Sequence, residues 1–235
     1  MPAPVSEDLV RVRRLPDRGT SDRAVVRDIL DAGLVCHLAY VHGERPVTVP
    51  TLYGRRGDEV FLHGSAASRA MRAGGAGLPV CATVMLLDGL VLARSAFHHS
   101  VNYRSVVIHG EAELVEDTDD KLEALRVLTE HVAPGRWADV RPPSPSELRA
   151  TAVLRLSLEH AVAKIRSGGV SDDAADLGLP VWAGVVPVGT AFGVPVPAPE
   201  LAEGLEPPAS VTRAASLRAT TGVPAAVPSP TGGRR

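Results

Sequence analysis

The chain has 235 residues, 45% of them hydrophobic and 22% charged, which is enough apolar material for one large domain or two small ones. A formal net charge of −2 argues against a basic nucleic-acid-binding surface, and no apolar run is long enough to span a bilayer. Glu7, Asp8 and Arg11 stand where a signal peptide needs an apolar stretch, so the expected location is the cytoplasm.

Residues 1–20 are polar and interrupted by Pro2, Pro4, Pro16 and Gly19, and are expected as an extended arm. Thr20 or Ser21 then caps a helix to about Ala32, with Val25, Val26, Ile29 and Leu30 on its apolar face and Gly33 at its end. Leu34 to Val41 reads as a strand and His42 to Arg45 as a turn. Val47 to Tyr53 alternates as the hairpin partner. Pro50 within that run cannot donate to a ladder, which requires an edge, a bulge, or a ligand in place of a neighbouring strand.

Asp58 to Ala73 follows as a short strand, Glu59 to His63, that stops at Gly64 and turns through Ser65. A helix opens with Ser68 and Arg69 in its first turn. Free N–H groups, hydroxyls and a guanidinium there could hold a phosphate, or Ser68 could simply be a cap beside a solvated arginine.

Leu78 to Leu87 and Gly89 to Phe97 are apolar runs parted by Asp88–Gly89, a hairpin signal. A long strand from Tyr103 to Val115 contains Gly110, expected at a bulge or barrel corner. Thr118 to His131 has helical periodicity, Pro142, Pro143 and Pro145 break the chain, and Ala152 to Leu158 is a last core strand. VWAGVVPV, with Trp182, is a terminal apolar strand. The two cysteines, Cys36 and Cys81, sit in apolar runs and read as buried free thiols. The pattern predicts a mainly β fold with flanking helices, an antiparallel barrel or sandwich. The expected division is an arm at 1–20, a domain at 21–188, and a disordered tail at 189–235, where eight of the 20 prolines fall.

Several chemistries lack their parts. There is no G-x-S-x-G nucleophile turn, and GGAG (Gly74 to Gly77) lacks the Gly-Lys-Ser/Thr end of a phosphate-binding loop. The eight histidines and two cysteines show no zinc-ligand spacing. Axial ligation of a haem by His63, His98 or His99 stays open, because one histidine suffices. Three features point instead to a flavin: the strand–turn–helix with Ser68 and Arg69, the Thr48–Pro50 segment whose backbone could face a flat ring, and Tyr103–Arg104–Ser105.

VFLHGSAASRAMRA (60–73), DGLVLARSAFHHSVNYRSVVIHGEAELV (88–115) and AKIRSGG with LPVWAGVVPV (163–188) together resemble the pyridoxamine 5'-phosphate oxidase-like family of FMN-binding split barrels. Within it, the chain looks most like the nitroimidazole-resistance branch. The resemblance implies a homodimer with FMN at the interface and a small-molecule substrate. It matches Ser68 and Arg69 to the phosphate grip, Ser105 to a flavin-facing position, and His63 to a histidine near the cofactor. Lys164 and Trp182 fall in the branch's C-terminal motif. Ala70 stands where the oxidases have lysine, which counts against pyridoxamine phosphate as substrate. The implied function is an FMN-dependent oxidoreductase acting on a nitro compound or similar acceptor. Alternatives are a deazaflavin-dependent reductase, a haem-binding split barrel and a non-catalytic flavin-binding protein.

Overall fold

The computed structural model describes residues 6–77 and 79–219. Among these, the strands are β1 (Gly19–Thr20), β2 (Val35–His42), β3 (Arg45–Arg56), β4 (Glu59–Ser65), β5 (Pro79–Leu92), β6 (Ser100–Glu111), β7 (Glu113–Leu114), β8 (Thr151–Ser157), β9 (Ala161–Arg166) and β10 (Gly184–Pro187). The helices are α1 (Glu7–Val10), α2 (Arg23–Ala32), α3 (Arg69–Gly75), α4 (Thr118–Val132), α5 (Arg136–Asp139), α6 (Pro145–Ala150) and α7 (Ala209–Ala219). One antiparallel sheet orders the strands β1-β9-β6-β5-β2-β3-β4-β8-β7, with β10 paired to β5.

The sheet closes on itself around one core because its strands alternate. Leu38 and Tyr40 of β2, Tyr53 of β3, Leu62 of β4, Val84 of β5 and Ile108 of β6 point inward and are buried. Helix α2 closes one end with Val26, Ile29 and Leu30. Its cap is Asp22, which accepts hydrogen bonds from Ala24 N and Val25 N, while Thr20 pairs with Ala163 in β1. Gly33 ends the helix, and a Cβ there would lie 2.5 Å from the Tyr53 hydroxyl, which itself donates to Leu30 O.

Strand β3 belongs to both halves of the barrel. Its residues 45–52 pair with β2, whereas Tyr53–Arg56 pair with β4. The half carrying Pro46 and Pro50 therefore has no partner strand on its other side among the described residues, as a proline-bearing strand requires. Outside the barrel, α4 lies on Phe61, Val115 and Val153, forming a second, smaller core with Ala124, Val127 and Leu128.

The structure departs from the sequence reading at other places as well. The arm at 1–20 carries α1 and pairs in part as β1, and residues 1–5 lie outside the described residues. Asp88–Gly89 is not a hairpin: β5 runs unbroken through it, with the register shifting between Leu87 and Gly89. Asp88 is the extra residue of a bulge, and Arg104 grips its carboxylate with Nε at 3.0 Å and Nη2 at 2.8 Å. Gly110 lies within regular pairing, opposite Val80, where a Cβ would approach Leu156 Cδ1 to 3.2 Å. Beyond Gly189, α7 sets Ser210 against Asp139 of α5, with Ser210 buried; residues 220–235 of the expected tail lie outside the described residues.

The bulge gives a first prediction. Asp88→Ala leaves Arg104 without its paired acceptor while both positions are less than a third exposed. The expected loss is about 1.5–3 kcal/mol, the scale of charge-assisted hydrogen bonds, seen as a lower denaturant midpoint at unchanged slope. A midpoint equal to wild type would show that the bulge holds itself.

Candidate functional site

Two groups of predicted residues emerge, and the sheet separates them. The first surrounds the opening where β3 leaves β2 for β4. Thr48 and Pro50 sit on the outward side of β3, and His63 is outward on β4, with Ser68 and Arg69 at the start of α3 just beyond. Proline has no N–H, so residues of the parity of Pro46 and Pro50 turn their backbone polar groups away from β2. Thr48, between them, therefore aims its N–H and C=O into the opening.

Ser68 caps α3: its hydroxyl accepts from Met71 N at 3.2 Å. Arg69 is exposed and makes no ion pair among the described residues. The cap and the unpaired guanidinium thus divide two roles that the sequence left joined.

The second group lies on β6 and β9. Tyr103 and Ser105 face outward, and Ser105 donates to Lys164 O at 3.1 Å. Lys164 donates to Arg14 O at 3.2 Å. Arg104 points to the opposite face, into its pair with Asp88, and does not join its two neighbours. Strands β5 and β2 intervene before β3, which puts about 14 Å between the two groups at the usual strand spacing. Trp182 is 65% exposed and packs its ring over Gly184, at the β10 end of the sheet, joining neither group.

Two cavities of about 620 Å³ accompany these groups. One is bounded by the end of α2, by Met85–Asp88 of β5 and by Val188–Phe192, which cross over it. Val188 N donates to Asp88 O, so the residue just before the expected tail is fastened to the bulge. The other lies between the outer face of β3, β4 and β8 and the helices α4 and α5. Leu52 and His63 lie on the sheet side, with Leu125, Leu128 and Val132 of α4 and Trp137 of α5 opposite. Nothing in the sequence reading singled out Trp137 or this cavity. The available signal was Leu52, an apolar residue on the parity that faces out of the barrel.

Burial sets the chemistry of the titratable groups. Desolvation pushes the Cys36 thiol up to about 12 and raises that of Cys81, so neither is a ready nucleophile. Cys36 is buried as expected, but Cys81 faces outward and is only half-buried, because it sits on the other parity. Desolvation lowers His63 from its usual value, leaving it neutral at physiological pH. Its Nδ1 is buried with no hydrogen-bond partner. The described residues include no helix long and apolar enough to cross a membrane.

Comparison with known proteins supplies the context. A family model described as pyridoxamine 5'-phosphate oxidase matches residues 22–165. The flavocytochrome Anf3 from Azotobacter vinelandii is similar at 38% identity and a TM-score of 0.83, over 88% of this chain and 96% of that one. A FAD and haem binding protein from Mycobacterium smegmatis shares 36% identity at a TM-score of 0.81, over 84% and 97%. A candidate 5-nitroimidazole antibiotic resistance protein from Bacteroides thetaiotaomicron shares the fold, with 21% identity and a TM-score of 0.52 over 63% and 86%. No match is found among curated proteins.

Proposed function

Since the chain belongs to the pyridoxamine 5'-phosphate oxidase family, we propose that it is a flavin-binding oxidoreductase that also takes a haem. The observation that carries the flavin is the opening beside β3. Thr48 offers a backbone donor and acceptor with no strand to receive them, and Arg69, in the first turn of the helix that follows β4, is exposed and makes no ion pair among the described residues. A ring with a polar edge and a phosphate tail fits that donor set. Similarity to two structures named for a flavin together with haem favours FAD over FMN, and either over deazaflavin.

The two groups of outward residues support a dimer. Thr48 and Tyr103 lie on strands separated by two others, so a second protomer is one way to bring their neighbourhoods together. A two-fold pairing through this face would bring Tyr103, Ser105 and Lys164 of one protomer to the opening of the other. The face is suited to burial, with Val35, Val41 and Met85 each more than 40% exposed.

When bound, the flavin supplies hydride and electron transfer; the chain's residues bind and orient it. Arg69 holds the phosphate, and Thr48 fixes the ring edge through its backbone. Tyr103 covers the ring and Ser105 faces it. Neither thiol serves as nucleophile. The substrate is a small acceptor that stacks on the exposed ring face, a nitro compound being one such class.

The absorption spectrum of the purified full-length chain tests this reading. Two flavin bands with a Soret band are expected, and acid extraction followed by chromatography separates FAD from FMN. A colourless chain that takes up neither FAD, FMN nor hemin on titration would overturn it.

A further inference from the structure

We propose that His63 is the axial ligand of a haem seated in the cavity between the outer face of β3, β4 and β8 and helices α4 and α5. The proposal rests on the reading of the chain as a flavin- and haem-binding protein and gives that haem a place.

Three histidines were open from the sequence, and the structure separates them. His99 Nδ1 accepts a hydrogen bond from Ala93 N at 3.0 Å. His98 Nε2 pairs with Asp173 at 3.2 Å. His131, a further possibility beside the other cavity, engages Gly33 O at 2.8 Å. His63 has a buried ring nitrogen with no hydrogen-bond partner, which among the described residues it shares as a defect only with Arg94 Nε. Of these four histidines, His63 alone makes no hydrogen bond or ion pair among the described residues, and it stands on a cavity wall. With Nδ1 closed off, Nε2 is the ring nitrogen that can reach the cavity.

The walls suit a flat apolar macrocycle. The cavity of about 620 Å³ falls within the range of cofactor sites. Leu52, Val132 and Val140 line it while remaining 36–40% exposed, so they hold apolar surface still to be covered. Trp137 adds an aromatic wall. The Thr129 hydroxyl donates to Leu125 O at 2.9 Å and is not left to compete. At the rim, Arg141 is committed to Glu147 at 2.7 Å, but Arg136 meets Asp139 only at 4.0 Å. Arg136 is thus the cation available to a propionate carboxylate. Bound there, the haem supplies one-electron chemistry.

The test is hemin titration of the full chain, stripped of cofactors, beside the His63→Gly and Thr129→Trp variants, with FAD titrated in parallel. Wild type is expected to develop the spectrum of histidine-ligated haem. His63→Gly is expected to lose at least the roughly 10- to 100-fold in affinity that disturbing a ligand's surroundings costs, and added imidazole should restore the spectrum. Thr129→Trp, which fills the cavity and keeps His63, should exclude hemin and leave FAD uptake unchanged. Wild-type hemin affinity and spectrum in His63→Gly would overturn the ligand while leaving the functional reading intact. Lost FAD uptake with normal hemin uptake in that variant would place His63 in the flavin site instead. A wild-type chain that binds FAD but no hemin would remove the haem from both.

Discussion

Arg69→Ala is expected to weaken flavin binding by roughly 10- to 150-fold, or about 1.5–3 kcal/mol, the worth of a hydrogen bond to a charged group. The expectation follows from position more than from charge. Ser68 spends its hydroxyl on Met71 N, so it holds the helix start and is not the main anion ligand. Arg69, one residue on, is exposed, free of ion pairs among the described residues, and in the first turn of the helix that follows β4. Arg72, also exposed but in the last turn of α3, provides the control: Arg72→Ala should bind flavin as wild type does. Arg69→Lys should recover part of the loss, because a point charge remains while the forked donor geometry does not. Quenching of free-flavin fluorescence gives the affinities. Equal affinity in Arg69→Ala and wild type would take the phosphate away from this helix start. Because Arg69 is exposed and makes no ion pair among the described residues, the melting temperature of the variant without flavin should not change.

The same residues show what a sequence yields and what it withholds. The alternation of Val47 to Tyr53, the stop at Gly33 and the demand that Pro50 places on its neighbour are local, and each appears in the structure where its chemistry requires. Asp88–Gly89 carries an equally clear local signal and misleads, since what decides it is distant. Arg104 supplies the partner for Asp88, and β10, some 95 residues later, packs its Val185 and Val186 over Gly89. The separation of the residues predicted for a flavin into two groups was not legible, because strand order is a property of the whole sheet. Tyr103–Arg104–Ser105 read as one motif, yet the pleat sends Arg104 to the other face. The choice among three histidines needed their hydrogen-bond partners, which no spacing encodes. The family comparison carries the fold.

Gly54→Val should be the most damaging single change on the outer face. A Cβ at Gly54 would lie 2.9 Å from Leu128 Cα, 3.0 Å from Leu128 N and 3.0 Å from Val127 C. These are backbone atoms of α4, so no rotamer change relieves the contact; the helix must rise from the sheet. At Gly110, by contrast, the added atom would meet only the tip of Leu156, which can swing aside. Lifting α4 opens the core formed by Phe61, Val115, Ala124, Val127, Leu128 and Val153. Overpacking costs about 1–3 kcal/mol, and the rigid neighbour puts this case near the top of that range. Each kcal/mol lowers the melting temperature of a chain this size by about 2–4 °C. The damage should also be directional. Leu125, Leu128, Thr129 and Val132 carry one wall of the cavity beside His63, whereas Arg69 and Thr48 do not line it. Hemin uptake should therefore fall well before flavin uptake does when both are titrated below the melting transition. Equal losses of the two would mean that α4 supports the whole barrel, and a wild-type melting temperature would mean that the helix does not need the bare backbone beneath it.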